Sequence, residues 1–262
     1  MLKRGIAILL ILIFLFSGEI LAESIDVEIT LVYDNNPYQE NLTTSWGFSC
    51  YIKGLEKNIL FDTGRDGSIL LDNMDKLSIN PENIDTTILS HKHLDHIGGL
   101  DSFLEVNNKV TVYAPNSFLA IEKQNIRKKG AKLVEVNNSV QICEDAYLTG
   151  ELGVVLKEQS LIIKTDKGLV VITGCAHPGV VNIVEKAEDL FKEDVYLLLG
   201  GFHLSNEKPV KIKEIANKLN DMGVNKVAPC HCSGDKAREI FAQVFKENFI
   251  LAGVGKKFKI ND

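Results

Sequence analysis

All six histidines of this chain stand at or just beyond the exit of an apolar, β-branched run. His91, His93 and His96 follow TTILS, His177 follows LVVITGCA, His203 follows VYLLLGGF and His231 follows KVAPC. Scattered core or surface histidines would not share that placement. The pattern therefore points to a site built on loops at strand ends, where connecting segments carry chemistry on a rigid frame.

The runs between these points alternate in period. DVEITLVYD, WGFSCYIKG, KNILFDTG and DTTILSH read as strands, and GSILLDNMDKLSI, with apolar positions at helical spacing, reads as the first amphipathic helix. GLDSFLEVN, SFLAIEKQNIRKKGA, VVNIVEKAEDLFK, VKIKEIANKLNDMG and KAREIFAQVF read as further helices. KVTVYAPN, KLVEVNN, VQICEDAYLTG, VYLLLGG, NKVAPCH and a short closing segment read as strands, and SLIIKTDKGLVVITG as a hairpin turning at Asp166-Lys167-Gly168. VYLLLGG and LVVITG are apolar on both sides, as central strands of a helix-covered sheet must be. The result is an α/β chain with two strand-rich halves. No fixed-period repeat or linker divides it, and we read one domain over 23–262.

The first residues form a separate unit. Lys3 and Arg4 precede an apolar run from Ile6 to Phe16, and Ser17, Gly18, Glu19, Ile20 and Leu21 lead to the small residue Ala22. That is the pattern of a secretory signal peptide over 1–22 and predicts export; the alternative is an uncleaved membrane anchor. The five cysteines are an odd number, and Cys230 and Cys232 are too close in sequence to bridge, so no disulfide framework is expected. At 45% hydrophobic residues the chain can build a sizeable core. Its net charge of −6 is mixed along the whole length, with no basic block except Arg127 to Lys129, which argues against a dedicated nucleic-acid surface and leaves a small-molecule substrate, a phosphate-bearing one included, open.

The densest chemistry lies in HKHLDH, residues 91–96. His91 and His93, two apart on an extended loop, point the same way and can share one ion. Asp95 and His96 turn toward a second position at the start of a helix. Neutral imidazole and carboxylate suit zinc, iron or manganese, and two such ions can share a bridging water.

HKHLDH after TTILS, together with FDTG at Phe61 to Gly64 and the later strand-end histidines, resembles the metallo-β-lactamase superfamily of metallohydrolases. TGCAHPGVVNIV, LLLGGFHL and APCHCSG resemble its dihydropterin ribofuranosylaminobenzene 5'-phosphate synthase-like branch. The resemblance implies a four-layer αββα sandwich with two divalent metal ions, zinc first among them, at one sheet edge. His91, His93 and His177 would hold the first ion, and Asp95, His96 and His231 the second, with Asp62 orienting the loop. The chain departs from the usual pattern after the LIIKT hairpin. Many members place a histidine before that hairpin and a Gly-Asp pair after it, whereas this chain has no histidine between His96 and His177 and ends the hairpin in Gly174-Cys175. The vacancy can be filled by His177, by Cys175 as a bridge or by Glu158.

The activity implied is hydrolysis of an ester, lactone or phosphodiester, with Asp95 orienting the attacking water and His203 protonating the leaving group or binding substrate. The competing expectation is a non-catalytic metal protein that recognises a ligand. A flavin-partnered diiron oxidoreductase and a true β-lactamase fit less well. Tyr33, Tyr38 and Trp46, near the loop from Asp34 to Trp46, are candidate walls of a substrate pocket.

Overall fold

The computed structural model describes residues 26–260, so the expected signal peptide lies outside the described residues. The first half of the chain supplies strands β1 (Glu28–Tyr33), β2 (Ser49–Lys53), β3 (Ile59–Phe61), β4 (Thr86–Ile88), β5 (Thr111–Pro115) and β6 (Lys132–Val136). The second supplies β7 (Asn138–Cys143), β8 (Ala146–Gly150), β9 (Leu161–Thr165), β10 (Gly168–Thr173), β11 (Val195–Gly201), β12 (Lys226–Cys230) and β13 (Lys257–Lys259). They form a seven-stranded sheet in the order β13-β1-β2-β3-β4-β5-β6 and a six-stranded sheet in the order β12-β11-β10-β9-β8-β7. Helices α1 (Gly67–Lys76), α2 (Leu94–Ile97), α3 (Leu100–Val106) and α4 (Ala120–Lys128) belong to the first half, and α5 (Val180–Phe191), α6 (Pro209–Asp221) and α7 (Asp235–Phe245) to the second.

Side-chain alternation along the strands sorts the apolar residues into layers. Val170 and Ile172 of β10, with Leu197 and Leu199 of β11, share a core with Ile29, Phe48 and Phe61 of the other sheet. Their neighbours Leu169, Val171 and Leu198 face the opposite way and pack under Ile183 of α5, Ile212 of α6 and Phe241 of α7. On the far side, Leu60 and Val112 meet Leu70 and Met74 of α1, Phe103 of α3 and Ile126 of α4. Three apolar layers between four layers of secondary structure make the expected αββα sandwich.

One edge of this sandwich is special. β3 and β4 run parallel, as do β10, β11 and β12. Thr173 pairs with Gly200 and Gly201 with Cys230, so the exits of the last three strands emerge side by side. At Gly200, φ is 129° and a Cβ would overlap the Thr173 carbonyl, a conformation and an approach that only glycine accepts.

Candidate metal centre

The loop after β4 is held at its entry to the site by one buried carboxylate. Asp62, just past β3 and fully buried, accepts the Ser90 amide and the Ser90 hydroxyl at 2.7 Å each, and its Oδ2 lies 2.7 Å from His96 Nδ1. That contact holds the His96 ring so that Nε2 faces the site, 3.2 Å from Cys175 Sγ. Burial pushes the Asp62 carboxyl well up despite the Ser90 hydrogen bonds. The role expected of Asp62 from the sequence matches this geometry.

The histidines and acids then gather in two groups. In the first, the donor atoms of His91, His93 and His177 lie within 4.8 Å of one another. His91 Nε2 faces His93 Nδ1 at 3.1 Å, and the His177 ring sits 4.8 Å from that of His91 and 4.9 Å from that of His93. The second joins Asp95, His96, His231 and Cys175 within the same limit. Cys175 also falls within 4.8 Å of donors on His177 and His203, so its sulfur lies between the two groups.

Electrostatics favours lone pairs over protons on three of the imidazoles, whereas at His231 burial is outweighed by the acidic neighbours, Asp95 foremost, and the pKa is raised. Burial, reinforced by repulsion among the imidazoles, drives His91 well below its ordinary value and takes His96 and His177 down to about 3. Burial alone would raise the Asp95 carboxyl, yet the neighbouring His231 and His96 hold it well below the usual range. His177 Nε2 is buried without a hydrogen-bond partner, and His231 Nε2 has beside it only the Asp95 carboxylate, at 3.3 Å. Orphaned ring nitrogens of this kind are rare in a folded interior, and one in each group fits a centre for two cations.

Several residues that hold this arrangement were not anticipated. His231 donor geometry is set by Asn35, whose Oδ1 lies 3.0 Å from His231 Nδ1, and by Asp34, whose Oδ2 accepts the His231 amide at 3.1 Å. The Asp34-Asn35-Asn36 run after β1 is the only sequence trace of this, and it reads as an ordinary turn. Trp46 donates its indole N–H to Asp95 Oδ2 at 2.9 Å, and its ring centroid is 5.0 Å from that of His231.

Some expectations need correction. Glu158 does not stand open to an ion: Oε1 accepts the amides of Cys175 and Ala176 at 2.9 and 2.8 Å, and Oε2 accepts that of His177 at 2.9 Å. Burial raises its carboxyl to about 7 against the pull of these bonds. Tyr33 walls no pocket, being buried in the outer core. Tyr38 lies under the Lys256 ammonium, which donates to its hydroxyl at 3.2 Å; of the three aromatics only Trp46 touches the cluster. His203 is exposed, with its ring 4.3 Å from that of His177. Its pKa is raised by a hydrogen bond to Cys232. All five cysteines are free and buried.

Comparison with known proteins supplies an independent view. The sequence profile described as the metallo-beta-lactamase superfamily matches residues 47–189. The chain is 33% identical to the 7,8-dihydropterin-6-methyl-4-(beta-D-ribofuranosyl)-aminobenzene-5'-phosphate synthase of Methanocaldococcus jannaschii, over 88% of this chain and 95% of that protein. A metal-dependent hydrolase of the beta-lactamase superfamily superposes with a TM-score of 0.76 at 27% identity, covering 90% of this chain and 100% of the other. The metallo-beta-lactamase fold protein YhfI from Bacillus subtilis shares the fold, with a TM-score of 0.65 at 17% identity over 89% of this chain and 99% of its own.

Proposed function

The chain belongs to the metallo-β-lactamase superfamily, and from that premise we propose that it is a dinuclear metal-dependent hydrolase of an ester, lactone or phosphodiester. The observation that carries the reading is the pairing of two donor groups across one buried sulfur, each rooted in a buried histidine and open to solvent on one side at His93, His177 and Asp95. His91, His93 and His177 would hold one ion, Asp95, His96 and His231 the other, and Cys175 would be shared. A site of nitrogen, oxygen and sulfur donors suits zinc, and the histidine and carboxylate donors also accept iron or manganese. Bound there, divalent ions supply Lewis acidity, bringing the pKa of a water toward neutrality and offsetting charge on the attacked group.

The rest is work for the protein's own side chains. Asp62 and Asn35 hold the tautomers of His96 and His231. Trp46 fixes one oxygen of Asp95, leaving the carboxylate in a set orientation toward the reacting centre. His203, exposed beside His177 and kept more basic than usual, would give a proton to the leaving group. The N-terminal charge and hydropathy pattern supports export. A second reading, transfer to an acceptor other than water, draws on the 33% identity to a synthase.

His93→Ala tests the centre. The variant is expected to lose metal by elemental analysis and to lose activity on a panel of phosphodiesters and lactones by at least about 100-fold, while keeping its far-ultraviolet circular dichroism. Wild-type metal content in that variant would overturn the reading.

A further inference from the structure

Two cavities flank the loop of residues 153–157, which carries Val154 and Val155 almost fully exposed. The larger, about 630 Å³, runs along Leu152, Leu156 and Pro178 and reaches His177 of the candidate metal centre. The smaller, about 270 Å³, shares Val154, Val155 and Leu156 with it and is also lined by Lys92, Lys157, Ser117 and Phe118. Lys92 stands between His91 and His93, and Lys157 directly precedes Glu158, the brace of the His177 loop. Both ammonium groups are thus tied in sequence to residues of the centre.

Neither lysine has a partner among the described residues, whereas Lys123 and Lys129 nearby in sequence are paired with Glu135 and Glu105. Glu151, which precedes the loop, does not neutralise them by a direct bond: its carboxylate accepts the Ser117 amide at 2.6 Å. The Ser117 hydroxyl is exposed and unpaired. Two unpaired lysines thus line one small cavity, with a serine beside them and no carboxylate among the lining residues.

We propose that this smaller cavity binds a phosphomonoester group carried by the substrate, whose apolar body lies in the larger cavity against His177. The inference rests on the metal-centre reading for the identity of the reacting end, but the subsite itself rests on the lysines. A phosphomonoester carries about −1.5 to −2 charges at neutral pH, which matches two ammonium groups, and lysine serves such an anion as a point charge. The apolar walls of the neighbouring cavity disfavour a free inorganic ion and favour a group attached to a carbon skeleton.

The test is calorimetric titration of phenyl phosphate into the metal-loaded full chain, compared with K92A/K157A and with K92R/K157R. The alanine pair is expected to weaken binding by about tenfold or more, the arginine pair to retain most of the affinity, and added salt to weaken the wild type further than the alanine pair. An unchanged affinity in K92A/K157A would overturn the subsite, and so would a loss of metal in that variant, because it would place Lys92 in the support of the ligand loop. Phenyl phosphate binding that still depends on the lysines in His93→Ala would keep the subsite standing even where the metal-centre reading fails.

Discussion

Glu158 illustrates how a residue can matter to a site without entering it. One carboxylate takes three consecutive amides and so dictates the path of residues 175–177, from which Cys175 and His177 reach the cluster. In Glu158→Gln the amide nitrogen must face one of those N–H groups, leaving a buried donor unsatisfied. Denaturant unfolding is expected to show a loss of about 1–3 kcal/mol, and chelator competition a metal affinity lower by about 10- to 100-fold. Metal affinity unchanged at reduced stability would confine Glu158 to a folding role. The sequence offered this residue as a ligand and not as a brace, because a carboxylate that binds its neighbours' backbone leaves no spacing signature. The histidines are legible for the opposite reason: their residue type is scarce and its chemistry narrow.

At the level of elements, the site depends on how closely neighbouring strand exits run. β11 ends in Gly200-Gly201, and a Cβ at Gly201 would lie 2.7 Å from Cys232 Sγ while overlapping the Gly174 carbonyl. Gly201→Ala is expected to push the β10 and β12 exits apart, at a cost of about 1–3 kcal/mol in urea unfolding, with weaker metal retention in dialysis. Retention of both would mean that the exits can part without disturbing the donors. The strands and helices themselves were legible from periodicity, and HKHLDH correctly implied a loop that turns into the short helix α2. The assignment of Tyr33 and Tyr38 to a pocket failed because a loop's course over the surface is set by what it packs on. Tyr33 packs against Gly47 and Gly64, whose lack of side chains makes room for its ring.

For the whole molecule, the candidate centre ties the two sheets together: His91, His93, Asp95 and His96 come from the first, and Cys175, His177 and His231 from the second. Ions that bind only this assembled edge stabilise the native state by about 4 kcal/mol at a thousandfold excess over Kd. Chelation is therefore expected to lower the melting temperature by on the order of 10 °C in scanning calorimetry, and readdition of zinc to restore it. A melting temperature indifferent to chelator would mean that the donors stand assembled without ions. By itself the sequence determined the alternation of elements, the two strand-rich halves and the set of candidate ligands, since these depend on local period and residue chemistry. Only the tertiary structure decided that His177 joins His91 and His93, that Cys175 lies between the groups and that Glu158 braces the loop rather than offering a ligand. Those relations join residues 17 to 86 positions apart, and they exist only once parallel strands from two sheets bring their exits to one edge.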